Sequence, residues 1–278
     1  MPDTITAPAA LITGATSGLG AAYARQLARA GHPLILVARD RPRLEATAAA
    51  LHAEHRVRVE VISADLATDA GVDAVVARID AGLDDDARFV GLLVNNAGFG
   101  TRGSLLTGDR AGQEAMVRVH VVAVNRLTQA ALAPMARRQR GAIITVSSVA
   151  SYLTSPGAVN YCATKAYQRV AMEGLAAEVA RRGIYVQACC PGFTRTEFHA
   201  RAEMKTSQIP GFLWMDADEV VAVSLAALER RAPVTVVPGF TFRAIVLLVR
   251  YLPRWILMRA TRRYQATRGV QQYGPSLE

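Results

Sequence analysis

The stretch ALITGATSGLGAAYARQLARA, residues 10–30, constrains this chain more than any other. A short apolar run, Ala9–Thr13, breaks at once into Gly14-Ala15-Thr16-Ser17-Gly18-Leu19-Gly20 and resumes as an alanine-rich segment with helical spacing. Strand, glycine turn and helix in this order open a β-α-β unit. The turn lets a pyrophosphate approach the main chain, and amides at the helix N-terminus meet its charge. Gly-x-x-x-Gly-x-Gly is one residue longer than the usual dinucleotide fingerprint, and glycine turns without ligands are common. The weight of the motif comes from its place between strand and helix. It offers Gly14, Thr16, Ser17, Gly18, Leu19 and Gly20 as a nucleotide-binding loop.

The rest of the chain repeats the alternation. Further strands are expected at 34–38, 57–64, 90–94, 141–146, 184–190 and 234–237. Helices are expected at 42–54, 69–81, 112–138 with a late interruption at Pro134, the segment carrying Tyr161 and Lys165, and 218–230. Buried strands separated by helices make an α/β doubly wound parallel sheet of about seven strands with helices on both faces. With 278 residues, 51% of them hydrophobic, the chain can fill such a core as a single unit, 1–239, to which 240–278 adds a basic amphipathic extension.

Chemistry in such sheets collects at the carboxyl ends of the strands. The second strand ends Val37-Ala38-Arg39, where an NAD site would carry an acid for the ribose hydroxyl. Arg39 instead suits a 2′-phosphate, which favours NADP(H); the competing readings are a solvated arginine or one paired with Asp40. The third strand ends in Asp65-Leu66 and the fourth in Asn95-Asn96-Ala97-Gly98, whose amides either brace the sheet or line the cleft. Ser147 and Ser148 end the fifth. On the next helix Tyr161 and Lys165 stand four apart, on one face. An ammonium there favours the phenolate and would bring Tyr161 into range for proton exchange. Only two of the 32 basic residues are lysines, Lys165 and Lys205, so a lysine at this position marks a point-charge role that arginine fills badly. Taken alone, Tyr-x-x-x-Lys also fits a plain surface pair. Pro191-Gly192 ends the sixth strand, and a connection of lid length, 193–215, follows.

Jointly, Thr13-Gly14-x-x-x-Gly18-x-Gly20, Asp65, Asn95-Asn96-Ala97-Gly98, Ser148 with Tyr161 and Lys165, and Pro191-Gly192 with Thr194 and Thr196 resemble the short-chain dehydrogenase/reductase family over about residues 8–239. The resemblance implies a Rossmann-type fold and oxidoreductase activity with NADP(H). Tyr161 would be the acid/base at a carbonyl or alcohol oxygen, and Ser148 would hydrogen-bond that oxygen. Lys165 would hold the nicotinamide ribose and lower the pKa of Tyr161. Asp65 would lie by the adenine, Asn95 along the cofactor, and Thr194 and Thr196 near the carboxamide and diphosphate. One departure stands out. The family often has an asparagine in the long helix whose main-chain carbonyl holds a relay water, and here that position is His120. Any residue supplies a carbonyl, so His120 is either a fourth catalytic member or a packed helix histidine. The expected reaction is hydride transfer between NADP(H) and a ketone or secondary alcohol, with a bulky lipophilic substrate. The competing class is an NADPH-binding regulatory or scaffold protein. The resemblance also implies a homodimer or homotetramer.

Other features narrow the setting. Cys162, Cys189 and Cys190 lack metal-ligand spacing and read as core thiols of a cytoplasmic protein, with no metal expected. Residues 1–10 lack the pattern of a signal peptide. The net charge of +9 does not point to nucleic acid, because seven arginines fall between residues 243 and 268, where the tail's only acid is Glu278. In the tail the apolar runs 244–249 and 255–258 are too short to span a bilayer. They predict two short helices hinged near Pro253, packed on the domain, on another subunit or on a membrane surface. With Phe212, Leu213 and Trp214 of the 193–215 connection, they are expected to form an apolar mouth.

Overall fold

The structure, a computed structural model, describes residues 7–101, 105–106, 108–198, 209–253, 255–256 and 259. The chain runs β1 (Ala9–Thr13), α1 (Gly18–Arg29), β2 (Leu34–Ala38), α2 (Arg41–His55), β3 (Val59–Ser63), α3 (Asp69–Asp80) and β4 (Val90–Asn95). It continues through α4 (Arg110–Val117), a π-helical turn (Arg118–Ala123), α5 (Val124–Arg137), β5 (Gly141–Val146), α6 (Val159–Glu178), β6 (Ile184–Cys189), α7 (Ala217–Glu229), β7 (Thr235–Val236) and α8 (Phe240–Tyr251). The seven strands form one parallel sheet in the order β3-β2-β1-β4-β5-β6-β7.

Strands such as LILVA in β2 and VGLLVN in β4 are apolar without alternation because both faces of the sheet are covered. On one face Tyr23, Leu27, Leu44, Val220 and Val221 of α1, α2 and α7 pack against Ile12, Leu36 and Val94. On the other, Val72, Val75, Leu127, Met135 and Met172 of α3, α5 and α6 cover Leu11, Ile35, Leu93 and Ile143. Each large aliphatic side chain buried this way contributes about 1.5–3 kcal/mol. Tyr23, fully buried, donates to Ser224 Oγ at 2.6 Å and ties α1 to α7. The order reverses between β1 and β4, which is the crevice where open α/β sheets bind ligands.

Several expectations shift. The helix expected at 112–138 starts earlier, at Arg110, because Asp109 accepts from the amides of Ala111 and Gly112. Pro134 does not interrupt it. The proline is buried within α5, which runs on to Arg137, and Arg138 Nη1 donates to the Pro134 carbonyl at 3.2 Å. The irregularity lies upstream instead, in the π turn that contains His120. β7 is shorter than expected, although the carbonyls of Val234 and Val236 still accept from Ala188 and Cys190. In the loop before β4, Asp84 pairs with Arg137 and Asp86 with Arg138. In the tail α8 stops before Pro253; the second expected helix falls largely outside the described residues, as do residues 199–208 of the 193–215 connection.

Candidate active site

The glycine turn closes against the end of β4. Gly14 takes φ +67° and its absent side chain faces Ala97, while a Cβ on Gly20 would lie 2.1 Å from the Gly14 carbonyl oxygen. Thr13 Oγ1 accepts from the amides of Asn96 and Ala97, both at 2.9 Å, and Asn96 Nδ2 donates to the Thr13 carbonyl at 2.8 Å. Ser17 caps α1 with extended main chain, yet its side chain makes no capping hydrogen bond and the first turn holds no acid. The amides opening α1 are thus left to an anion. Thr196 packs at the Gly18 position, where a Cβ would approach it to 3.1 Å. Thr194 Oγ1 donates to the Gly192 carbonyl, 3.2 Å away.

Arg39 is exposed at the end of β2, and among the described residues no carboxylate pairs with it. Asp40 does not fold back on it; its carboxylate caps α2 by accepting from Arg43 N at 3.0 Å. Arg43 pairs with Glu197 at 2.7 Å. The Asp65 carboxylate accepts from Ala67 N, and Leu66 is buried beneath the turn. Of the two readings of Asn95, the structure shows the bracing one: its side chain is buried and Nδ2 donates to Thr128 Oγ1 at 3.1 Å between β4 and α5, while Oδ1 has no hydrogen-bond partner among the described residues. Its neighbour Asn96, through the glycine turn, is the one that shapes the nucleotide loop.

At the end of β5, Ser148 Oγ accepts from Ala150 N at 3.1 Å. Burial pushes the Tyr161 phenol up to about 12, with the nearby Ser148 hydroxyl pulling the other way. Lys165, buried, donates from Nζ to the Val146 carbonyl at 2.8 Å and to Gln168 Oε1 at 3.0 Å. Burial pushes its ammonium down to about 7. The Lys165 ammonium stands 5.9 Å from the centre of the Tyr161 phenol ring, and burial is the leading cause of the raised phenol pKa. Ser147 is buried and donates to the Lys165 carbonyl at 2.7 Å, which fixes α6 against β5.

His120 is fully buried, and burial followed by the Lys165 charge holds its pKa well below the ordinary value. Its ring is therefore neutral. Nε2 accepts from Phe99 N at 3.2 Å, which leaves the proton on Nδ1, 3.0 Å from Thr164 Oγ1; Thr164 in turn donates to the Tyr161 carbonyl at 3.1 Å. The ring stands edge-on to Phe99 and Tyr161, and a Cβ on Gly98 would meet Nε2 at 2.7 Å. His120 is thus a packed histidine that also links the segment after β4 to α6.

Phe198 lies 5.7 Å from the Tyr161 ring; in a second group of rings Phe193 is tilted against Trp214 at 5.8 Å, and Phe242 of α8 lies 6.4 Å from Phe193. Phe242 fills the space that a Cβ on Gly192 would need. The connection closes on itself: Met215 N donates to the Phe193 carbonyl and Arg195 N to the Met215 carbonyl, both at 2.9 Å. Phe212 is exposed and Leu213 partly so. Sequence reading missed Phe198, Thr164, Phe99 and Gln168. For Gln168 a signal existed, since it follows Lys165 by three on the buried stripe of α6.

A family profile described as short chain dehydrogenase matches residues 8–206. The chain belongs to the short-chain dehydrogenase/reductase family. Hydroxysteroid dehydrogenase-like protein 1 of Gallus gallus is 32% identical over 252 residues, 89% of this chain and 72% of that protein. A short-chain dehydrogenase from Sphingobium yanoikuyae, solved in complex with NADPH, is 35% identical with a TM-score of 0.78, covering 98% of this chain and 100% of that one. The bulky-bulky ketone specific alcohol dehydrogenase from Comamonas testosteroni is 32% identical with a TM-score of 0.74, covering 97% and 98%.

Proposed function

We propose that this protein transfers hydride between NADP(H) and a bulky, lipophilic ketone or the corresponding secondary alcohol. The observation that carries the reading is Ser148 at the end of β5, close enough to Tyr161 to draw its pKa down, with a buried Lys165 one turn along α6 and a glycine turn suited to a pyrophosphate. The residues fit the dinucleotide. The uncapped amides of α1 would take the diphosphate, the unpaired Arg39 a 2′-phosphate, and Asp65 the adenine side. The third N–H of Lys165 would take a ribose hydroxyl. When bound, NADPH supplies the hydride.

Tyr161 and Ser148 act at the substrate oxygen. With the carbonyl oxygen against both hydroxyls, Tyr161 donates its proton as the carbon is reduced, and Ser148 donates a hydrogen bond to the growing negative charge. A phenol near 12 stays protonated at neutral pH and is ready as the acid for reduction. Positive charge from Lys165 and from an oxidised nicotinamide would favour the phenolate needed for alcohol oxidation. The rings of Phe193, Phe198, Trp214 and Phe242 support an apolar substrate, as does the likeness to an enzyme specific for bulky ketones. A panel of ketones of rising apolar size, followed by NADPH oxidation with Tyr161→Phe as control, tests the reading. Turnover of no ketone while NADPH still binds would favour a regulatory or scaffold role.

We infer that the tail belongs to the same unit, through Phe242, and that its outer side meets a partner. Phe240, Leu247, Leu248 and Tyr251 stand exposed on one side of α8, with Trp255 beyond it and Arg243 and Arg250 along one edge. Among the described residues no helix is long and apolar enough to cross a membrane. A bilayer surface and a second copy of the chain both suit this side. Sedimentation with anionic lipid vesicles, beside the oligomeric state in solution, separates the two.

A further inference from the structure

Gln168 occupies the point where three elements meet. It is 1% exposed; Nε2 donates to the main-chain carbonyl of His120 at 2.9 Å while Oε1 accepts from Lys165 Nζ at 3.0 Å. The carbonyl belongs to the π turn, the ammonium to α6, and the second acceptor of that ammonium, Val146 O, to the end of β5. A glutamine is suited to this place because it carries a donor and an acceptor on one planar group and can satisfy a carbonyl and an ammonium at once. Both bonds are buried, so each partner would lose a full hydrogen bond if the amide were removed.

We propose that Gln168 is the positioning residue of the active site, a dry amide strut that links the His120 carbonyl to Lys165 and aims the remaining N–H of Lys165 into the cleft. The inference rests on the oxidoreductase reading above and deepens it. Where the family resemblance implies a water between this carbonyl and the lysine, the Gln168 amide spans the gap itself. An amide does not pass protons as a water chain does, because its nitrogen would have to give one up while its oxygen took one on. The strut therefore holds Lys165 without draining protons from it, and Tyr161 is reprotonated from the cleft side. Among the described residues the titratable groups facing Lys165 are Tyr161 on its own helix, His120 on the π turn and Cys190 after β6, with no carboxylate beside them.

The composition supplies a direct readout. Lys165 and Lys205 are the only lysines in the chain, so side-chain labelled lysine gives two signals by NMR, and Lys205→Arg assigns them. Gln168→Glu keeps the shape and the acceptor but adds a charge, and should raise the Lys165 midpoint by at least about one pH unit. Gln168→Met fills similar volume with no hydrogen bonds. It should lower kcat roughly tenfold with KM little changed, and lower the melting temperature because a buried carbonyl and ammonium lose a partner, with Gln168→Glu recovering part of the loss in kcat at low pH. Solvent isotope effects on kcat should give a linear dependence on deuterium fraction in wild type, as for one proton in flight. An unmoved Lys165 midpoint in Gln168→Glu, or equal kcat in wild type and Gln168→Met, overturns the proposal. Because the NMR midpoint is read without turnover, a wild-type protein inactive on every ketone would sink the oxidoreductase reading while leaving the strut itself measurable.

Discussion

The glycine turn is held by main-chain groups bonded to two short side chains, whereas large aromatic rings cluster near Tyr161 and in the long connection beyond it. The Thr13 hydroxyl and the Asn96 side-chain amide bond main-chain partners, and Gly20 packs where no Cβ fits, all at the ends of β1 and β4 and the start of α1. Phe198 lies against Tyr161, and Phe193 meets Trp214 and Phe242, rings drawn from the long connection and from the tail. The first arrangement tolerates almost no change of shape, since Gly20→Ala would set a carbon 2.1 Å from an oxygen. The second can be resized one ring at a time.

The largest expected effect tests whether the two sides are separable. Tyr161→Phe removes the acid at the substrate oxygen, so kcat should fall by about 10²- to 10⁴-fold with the Kd for NADPH nearly unchanged. A collapse of NADPH binding in this variant would show that the two sides share their support. Next comes Arg39→Ala. Losing a charge-assisted phosphate contact costs about 1.5–3 kcal/mol, so NADPH should bind roughly ten- to a hundredfold more weakly and NADH scarcely so. Equal losses for both cofactors would move the reader of the 2′-phosphate elsewhere, with Arg43 and its Glu197 partner the place to look. Phe198→Ala should be smaller and selective. It trims apolar surface worth about 1.5–3 kcal/mol when fully buried, so KM should rise up to about tenfold for a bulky ketone and little for acetone. An equal rise for both would mean that Phe198 supports Tyr161 rather than the substrate.

The same division explains what could be read from the sequence. The order of strands and helices, the glycine turn, and Ser148 with Tyr161 and Lys165 were legible because short motifs and strand ends encode them locally. The lid end Phe198, the Gly192–Phe242 fit and the Gln168 amide depend on segments that meet only in three dimensions. Asn95 shows the limit within a motif: two adjacent asparagines at a strand end look alike in sequence, and only the alternation of strand faces decides that Asn95 turns to Thr128 while Asn96 reaches the glycine turn. Pro134 shows another: a buried proline one turn from the end of α5 leaves the helix running on to Arg137.

His120 joins the two sides, and its effect should be the smallest on turnover while remaining visible in stability. The ring accepts from Phe99 on the nucleotide side and bonds Thr164 on the substrate side, and burial keeps it neutral. His120→Asn retains the main-chain carbonyl that Gln168 holds, so kcat should change only a few-fold, but it leaves the Phe99 amide short of a buried acceptor, at about 1–3 kcal/mol. The sign of the pH dependence follows from the depressed pKa. Above about 6.5 the folded and unfolded states bind the same number of protons at this ring. Below it the unfolded state takes one that the folded state refuses, so the ring's contribution to stability is lost as the pH falls, by about 1.4 kcal/mol per pH unit until the folded pKa is reached. The stability gap between wild type and His120→Asn, measured by urea unfolding, should therefore be widest above pH 6.5 and narrow steadily toward pH 5. A gap that stayed flat across that range would mean that the ring accepts a proton while folded, and that the joint between the two sides is open to water.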